Sequence, residues 1–323
     1  MKRRALLSAA LLAGVAACGD TESGSGSGEK SSEKVTFGYI ADFNGASLLA
    51  IANDQKLWAA HGLEVSAKVF TNGPLQITAM QAGDLDYGYL GPGAVWLPAS
   101  GKAKIIALNS LGNADRVIGQ AGITDLSQLK GKKVGVPEGT SGDMILTLAL
   151  KKAGLTNADI KRTPMDAATI VTAFGAGQID AAGFWYPAIS TIKTRKPDLV
   201  ELAKDSDFAD TMAFPTAFIG RNEVAADSTA KVIQVLRAAM DYRAAHLDET
   251  VKLVAALNKQ SEDAVRADAA NSRMLDSKTL DGYTADGTIT KWLTGLGDYF
   301  VGAGKLPSNP DPATYYSGAG FTK

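Results

Sequence analysis

Between a β-rich run ending at Pro137 and an apolar helical pattern beginning near Met144 stand Gly139, Thr140, Ser141, Gly142 and Asp143. Glycine and small hydroxyl residues where a helix starts make an anion site, because the first N–H groups there lack intrahelical partners. The hydroxyls of Thr140 and Ser141 and the N–H groups from about Ser141 to Asp143 can donate together to one multi-oxygen anion. A sulfonate fits: it is ionised at physiological pH, offers three acceptors and needs no arginine. Stabilisation at a helix terminus is about 0.3–1 kcal/mol, rising to ~2 kcal/mol when partly buried. Simple N-capping by Ser141 or Asp143 is the competing reading. The Asp143 carboxylate repels an anion unless it caps the helix or meets an ammonium group.

In open α/β sheets, ligands sit beyond the carboxyl ends of the strands. Three further loops answer that description. Residues 41–47 carry Asp42, Phe43 and Asn44. In residues 90–95, Gly91, Pro92 and Gly93 let backbone N–H groups approach a ligand closely. Residues 183–188 carry Trp185, whose indole can stack on a small ligand or cover an ammonium; Trp58 and Trp292 read as core and Trp96 as a packing residue. Asp86 and Asp180 occupy equivalent places before strands, which assigns them to a shared turn contact. No catalytic set emerges: His61 and His246 lie in surface helical patterns, and no Walker-type loop occurs. With two histidines and one cysteine, the chain has too few ligands for a zinc site and no intramolecular disulfide.

The elements that hold these loops alternate. Strands are expected at 34–42, 63–70, 85–91 and 104–110, with helices over 46–62, closed by Gly62, and 74–83, and a third starting near Trp96. The pattern restarts with a strand near 133–137, a helix over 144–154, a strand at 160–165, a helix over 168–178 and a strand over 179–187. Strand–helix alternation predicts α/β architecture with largely parallel sheets. "ITAMQAGDLDYGYL" (77–90) and "IVTAFGAGQIDAAGFW" (170–185) share one plan, implying two similar lobes. After a short strand at 216–220 come helices over 225–246, 248–258, 261–272 and 284–303, which suggests a return to the first lobe.

The amino terminus speaks to the compartment. Lys2, Arg3 and Arg4 precede an apolar stretch too short to span a bilayer, ending in Val15-Ala16-Ala17-Cys18. Small residues before a cysteine resemble a bacterial lipobox, so residues 1–17 read as a lipoprotein signal peptide with Cys18 as the lipidated residue. Residues 18–34, rich in glycine and serine, read as a flexible tether. The formal net charge of −1 offers no basic face for nucleic acid.

"QAGDLDYGYLGPGAV", "QLKGKKVGVPEGTSG" and "AGQIDAAGFWYPA", in this order and with the lipobox, resemble the solute-binding proteins of bacterial ABC importers in the nitrate/sulfonate/taurine branch. The resemblance runs from about residue 35 to 318; "SLGNADRVIG" and "FWYPAI" are most similar to taurine and aliphatic sulfonate binders. It implies a type II-like periplasmic-binding-protein fold of two α/β lobes, 35–113 with 214–323 and 114–213, joined by two crossovers near Ser110–Arg116 and Asp205–Pro215. It implies closure on a small anionic ligand, an organosulfonate such as taurine or an alkanesulfonate, with residues 42–44, 91–93, 140–143 and 185 contributing. Nitrate, another small anion or a thiamine-pyrimidine precursor is the alternative.

The partners implied are an ABC permease, separate ATPase subunits and, through the lipid, the membrane. The protein would be an extracytoplasmic, lipid-anchored monomer without cofactor or metal. The pyrimidine synthases that share the fold depend on a histidine and a cysteine-rich stretch that this chain lacks. Taurine binders carry acidic residues in the first loop and near the second crossover, where this sequence has Asn44 and either Ala217 or Phe218. Asp42 and Asp115 are the substitutes, each equally readable as a cap or hinge residue. Phe214 and Phe218 would suit an alkyl or aromatic sulfonate.

Overall fold

A computed structural model describes residues 32–318. The charged amino terminus, the apolar stretch and Cys18 lie outside the described residues, as does most of the segment read as a tether. Its end does not: the first strand, β1 (Glu33–Ile40), already includes Glu33 and Lys34.

The chain continues through α1 (Phe43–Asp54), α2 (Leu57–Ala60), β2 (Leu63–Phe70), α3 (Gly73–Gln81), β3 (Tyr87–Leu90), α4 (Trp96–Ala99) and β4 (Lys104–Gly112). It then builds β5 (Asp115–Gly119), β6 (Lys133–Val136), α5 (Ser141–Lys152), β7 (Lys161–Pro164), α6 (Ala167–Gly175), β8 (Ala181–Trp185), α7 (Ala188–Arg195) and β9 (Val200–Lys204). Last come β10 (Pro215–Gly220), α8 (Ala226–Ala245), α9 (Leu247–Asn258), α10 (Glu262–Ala269), β11 (Ser272–Met274), α11 (Ser277–Ala285) and α12 (Thr288–Gly302). Two sheets result, in the orders β11-β4-β10-β3-β1-β2 and β7-β6-β8-β5-β9. The chain passes from the first sheet to the second between Gly112 and Asp115, and returns before Pro215.

Both sheets are mixed rather than largely parallel. β1 runs parallel to β2 and β3, but β10 is antiparallel to β3 and β4. In the second sheet β5 is antiparallel to β8 and β9. The cause is topological: a strand entering from the other sheet runs against strands laid down by local βαβ units.

Polar caps set the helix starts. Asp42, Asn72 and Asp166 accept N–H groups three residues on, opening α1, α3 and α6. The helix expected over 46–62 starts earlier and breaks at Lys56, whose φ of 54° is left-handed. The helix expected over 284–303 begins only at Thr288, because Gly287 at φ 79° separates it from α11. Around the first sheet one core gathers Phe37, Tyr87 and Phe218 with apolar residues of α1, α8, α9 and α12. The second sheet is packed on two faces, by Leu146 and Leu150 of α5 on one and by Phe174 and Ile189 on the other.

Candidate functional site

The carboxyl ends of β1 and β3 meet the start of α5 and the end of β8 around a small chamber of about 40 Å³. Of the residues singled out in the sequence, Asp42, Asn44, Gly91, Pro92, Asp115, Thr140, Ser141 and Trp185 line it. So do Tyr89, Tyr186, Asn72 and Thr216, which the sequence reading passed over. Tyr89 and Asn72 stand at strand ends, so the rule that selected the four loops would have found them.

Other candidates do not line the chamber. Phe43 is buried in the core, and its N–H donates to Asp268 Oδ2 at 2.6 Å. Phe214 and Phe218 are buried in the first core and form no wall for a ligand. Gly93 packs so closely on the Thr140 carbonyl that a Cβ there would collide with it, and Gly142 is pressed likewise against Gly183. The close approach of elements at both positions leaves no room for a side chain. Asp143 turns away: its carboxylate accepts the Gly139 N–H at 2.8 Å and pairs with Arg162 at 2.9 Å and Lys305 at 3.6 Å. That group borders a separate cavity of about 460 Å³ between α5 and α12.

The start of α5 has no side-chain cap: Thr140 occupies the cap position and donates its hydroxyl to Pro137 O instead. The N–H of Met144 bonds to Thr140 O, leaving the N–H groups of Ser141 to Asp143 at the open end of the helix.

Facing that partial positive charge, the walls are acidic and no lysine or arginine lines the chamber. Asp42 accepts the Gly45 N–H at 2.6 Å, yet burial pushes its carboxyl well up from the usual range, and the charges of Asp268 and Asp115 add to the effect. Burial lifts Asp115 to about 6, opposed by hydrogen bonding from Ser141 and by the nearby Arg116. Asp205, whose Oδ2 accepts the Asp115 N–H at 3.0 Å, is raised by burial and then by the Asp115 charge. Burial also raises Asp268 to about 6. Asp115 Oδ1 and Asp205 Oδ1 are buried without hydrogen-bond partners. Buried carboxylate oxygens in that state are costly, and Asp115, which lines the chamber, is the one a ligand there could reach.

Arg116 does not reach this chamber. It bonds Glu201 at 2.8 Å, the carbonyls of Asn113 and Asp115, and Asn271 Oδ1 at 3.3 Å. The Asn113 N–H donates to Asn271 O at 2.7 Å, so this network ties the first crossover to the segment before β11. Glu201 also accepts from Lys193 and Tyr186, and Tyr186 is a wall of the chamber.

Among the described residues, no group of three or more His, Cys, Asp or Glu could hold a metal ion, and no helix is long and apolar enough to cross a membrane.

Two mixed α/β sheets linked by paired crossovers, with a polar chamber between the strand ends, make this a periplasmic-binding-protein fold. The alkanesulfonate-binding protein SsuA from Xanthomonas axonopodis, bound to MOPS, superposes with a TM-score of 0.68 at 20% identity, covering 88% of this chain and 97% of that one. The chain belongs to the NMT1/THI5-like family, whose model matches residues 46–261. A Brucella abortus relative, named only as a binding protein, is 50% identical over 291 residues, 89% of this chain and 91% of its own. The taurine-binding periplasmic protein of Escherichia coli is 27% identical over 135 residues, 41% of this chain and 42% of its own.

Proposed function

We propose that the protein is the extracytoplasmic solute-binding component of an ABC importer, capturing a small organosulfonate and handing it to the permease. Two lobes, residues 35–113 with 214–323 and residues 114–213, would close on the ligand at the crossovers, with ATP hydrolysis on a separate chain. The lipobox reading of Cys18 adds a lipid anchor at the membrane surface. The kinship with binding proteins supports binding rather than catalysis.

One observation carries the ligand assignment: the uncapped N-terminus of α5 and the carboxyls of Asp42 and Asp115, the latter beside Ser141, line one chamber without lysine or arginine. A sulfonate on the free N–H groups at the start of α5, with an ammonium reaching the Asp42 and Asp115 carboxyls, satisfies both kinds of group at once. This favours an amine-bearing sulfonate such as taurine over a plain alkanesulfonate or nitrate. The same carboxylates would receive the amino group of a pyrimidine, and that is the second reading.

Calorimetric titration with taurine, butanesulfonate, nitrate and an aminopyrimidine separates these. Binding of taurine alone or most tightly is expected. Preference for the aminopyrimidine would transfer the assignment to the second reading, and preference for nitrate would overturn both. Cys18→Ser should release the protein from membranes without changing affinity.

A further inference from the structure

Arg243, on α8, is 1% exposed, and among the described residues no carboxylate pairs with it. Its guanidinium donates to Ser47 Oγ at 3.0 Å, Asn109 Oδ1 at 2.8 Å, Asn109 O at 3.1 Å and Leu275 O at 3.3 Å. Its Nε is buried without a partner. Burial lowers the guanidinium to about 10, which leaves it charged at neutral pH. A buried charge met only by neutral acceptors is costly, and an apolar residue of similar volume often serves packing as well or better. That cost points to a task besides packing.

The hydrogen bonds have a fixed direction. A guanidinium only donates, so Asn109 Oδ1 accepts from it and Asn109 Nδ2 is turned to donate to Asn44 O at 3.0 Å. Arg243 therefore holds α1 twice, directly at Ser47 and through Asn109 at the Asn44 backbone. The Asn44 side chain is oriented separately, accepting from Ser110 Oγ at 2.9 Å and donating to Ser272 Oγ at 2.6 Å. Asn44 lines the chamber, and so does Asp42, the cap of α1.

We propose that Arg243 is a positioning residue of the binding site, which sets the start of α1 from beneath and so places Asp42 and Asn44 in the chamber wall. It lies outside the chamber lining and acts through Ser47 and Asn109. The proposal rests on the chamber as the binding site, not on which ion fills it.

Asn109→Asp tests this with a nearly isosteric change. The new carboxylate still accepts from Arg243 but cannot donate to Asn44 O. The variant should melt no lower than the wild type while the start of α1 loosens. Hydrogen exchange of the ligand-free chain should be faster at Phe43, Gly45 and Ala46, whose N–H groups bond to Asp268 or Asp42, and unchanged in the later turns of α1. Calorimetric titration should show roughly three- to tenfold weaker binding of whichever of taurine, butanesulfonate, nitrate and an aminopyrimidine the wild type binds most tightly, as for one lost hydrogen bond. Ser47→Ala removes the other anchor and should produce the same local change, which decides the matter if Asn109→Asp does not fold. Wild-type exchange at the three amides, or wild-type affinity, in the folded variants overturns the proposal. Faster local exchange in a chain whose wild type binds none of the four compounds keeps Arg243 as the residue that sets α1 and overturns the ligand reading instead.

Discussion

Lys305 Nζ lies 3.6 Å from Asp143 Oδ2 and joins the segment after α12, packed on the first sheet, to the first turn of α5, packed on the second. Trp96 Nε1 donates to Gly139 O at 3.3 Å beside it. These contacts are made between the two sheets and use none of the crossover residues, which is what a clasp on a closed form requires. Asp143 keeps Arg162 when Lys305 is removed, so no buried charge is stranded.

Lys305→Met should therefore shift the balance toward an open form and weaken ligand binding about fivefold, the equivalent of roughly 1 kcal/mol for a pair of one buried and one partly exposed side chain. Small-angle scattering of the ligand-free variant should show a larger radius of gyration than the wild type. An unchanged radius together with unchanged affinity would remove the clasp.

Gly93 gives a sharper version of the same test. A Cβ there meets the Thr140 backbone across the seam, and overpacking of this kind costs about 1–3 kcal/mol. If the seam opens, Gly93→Ala should lose roughly 5- to 150-fold in affinity while the ligand-free protein melts where the wild type does. A lowered melting point without loss of affinity would mean that the contact is permanent packing.

The sequence made the βαβ units readable, because their helices and strands carry distinct periods and their starts carry Asp, Asn and Gly signals. β5, β9 and β11 were not read. β5 is short and buried throughout, so "DRVIG" lacks the alternation of a half-exposed strand. The direction of β10 is set by the return crossover, which leaves no local mark. At the site, loops at strand ends were legible, but the pairings were not. Asp268 reaches Phe43 from α10, and Lys305 reaches Asp143 from beyond α12; both join residues distant in sequence. Phe43, Gly93 and Gly142 drew notice as loop residues, though packing explains all three.

Asp86 and Asp180 perform one task in both sheets. Asp86, just before β3, accepts the Thr36 N–H on β1 at 2.9 Å; Asp180, just before β8, accepts the Lys133 N–H on β6 at 2.7 Å. Each also donates its own N–H to the carbonyl of the residue it holds. Asp180→Ala should cost about 1–2 kcal/mol of stability, as for a hydrogen bond to a charged group that is partly solvated. Its dissociation constant for ligand should stay within twofold of the wild type, and a larger change would give Asp180 a part in binding.

The buried carboxylates predict an unusual dependence of stability on pH. Asp115 has its folded pKa raised to about 6 by burial, against roughly 3.9 for an unfolded aspartate. Between those values the folded chain holds a proton that the unfolded chain has released, so stability falls as pH rises from about 4 to 6. Above that window the cost is fully present. Asp268, raised to about 6 for the same reason, acts in the same direction. Asp115→Asn removes one such charge, so the variant should melt above the wild type at pH 7.5 and close to it at pH 4. The gain should come with weaker binding of any ligand that brings a cationic nitrogen, because the site then loses one of its two carboxylates. Melting curves and titrations at both pH values measure the two effects together. Wild-type stability that climbs from pH 4 to 7.5, with Asp115→Asn following in parallel, would show that Asp115 is already ionised and satisfied without ligand.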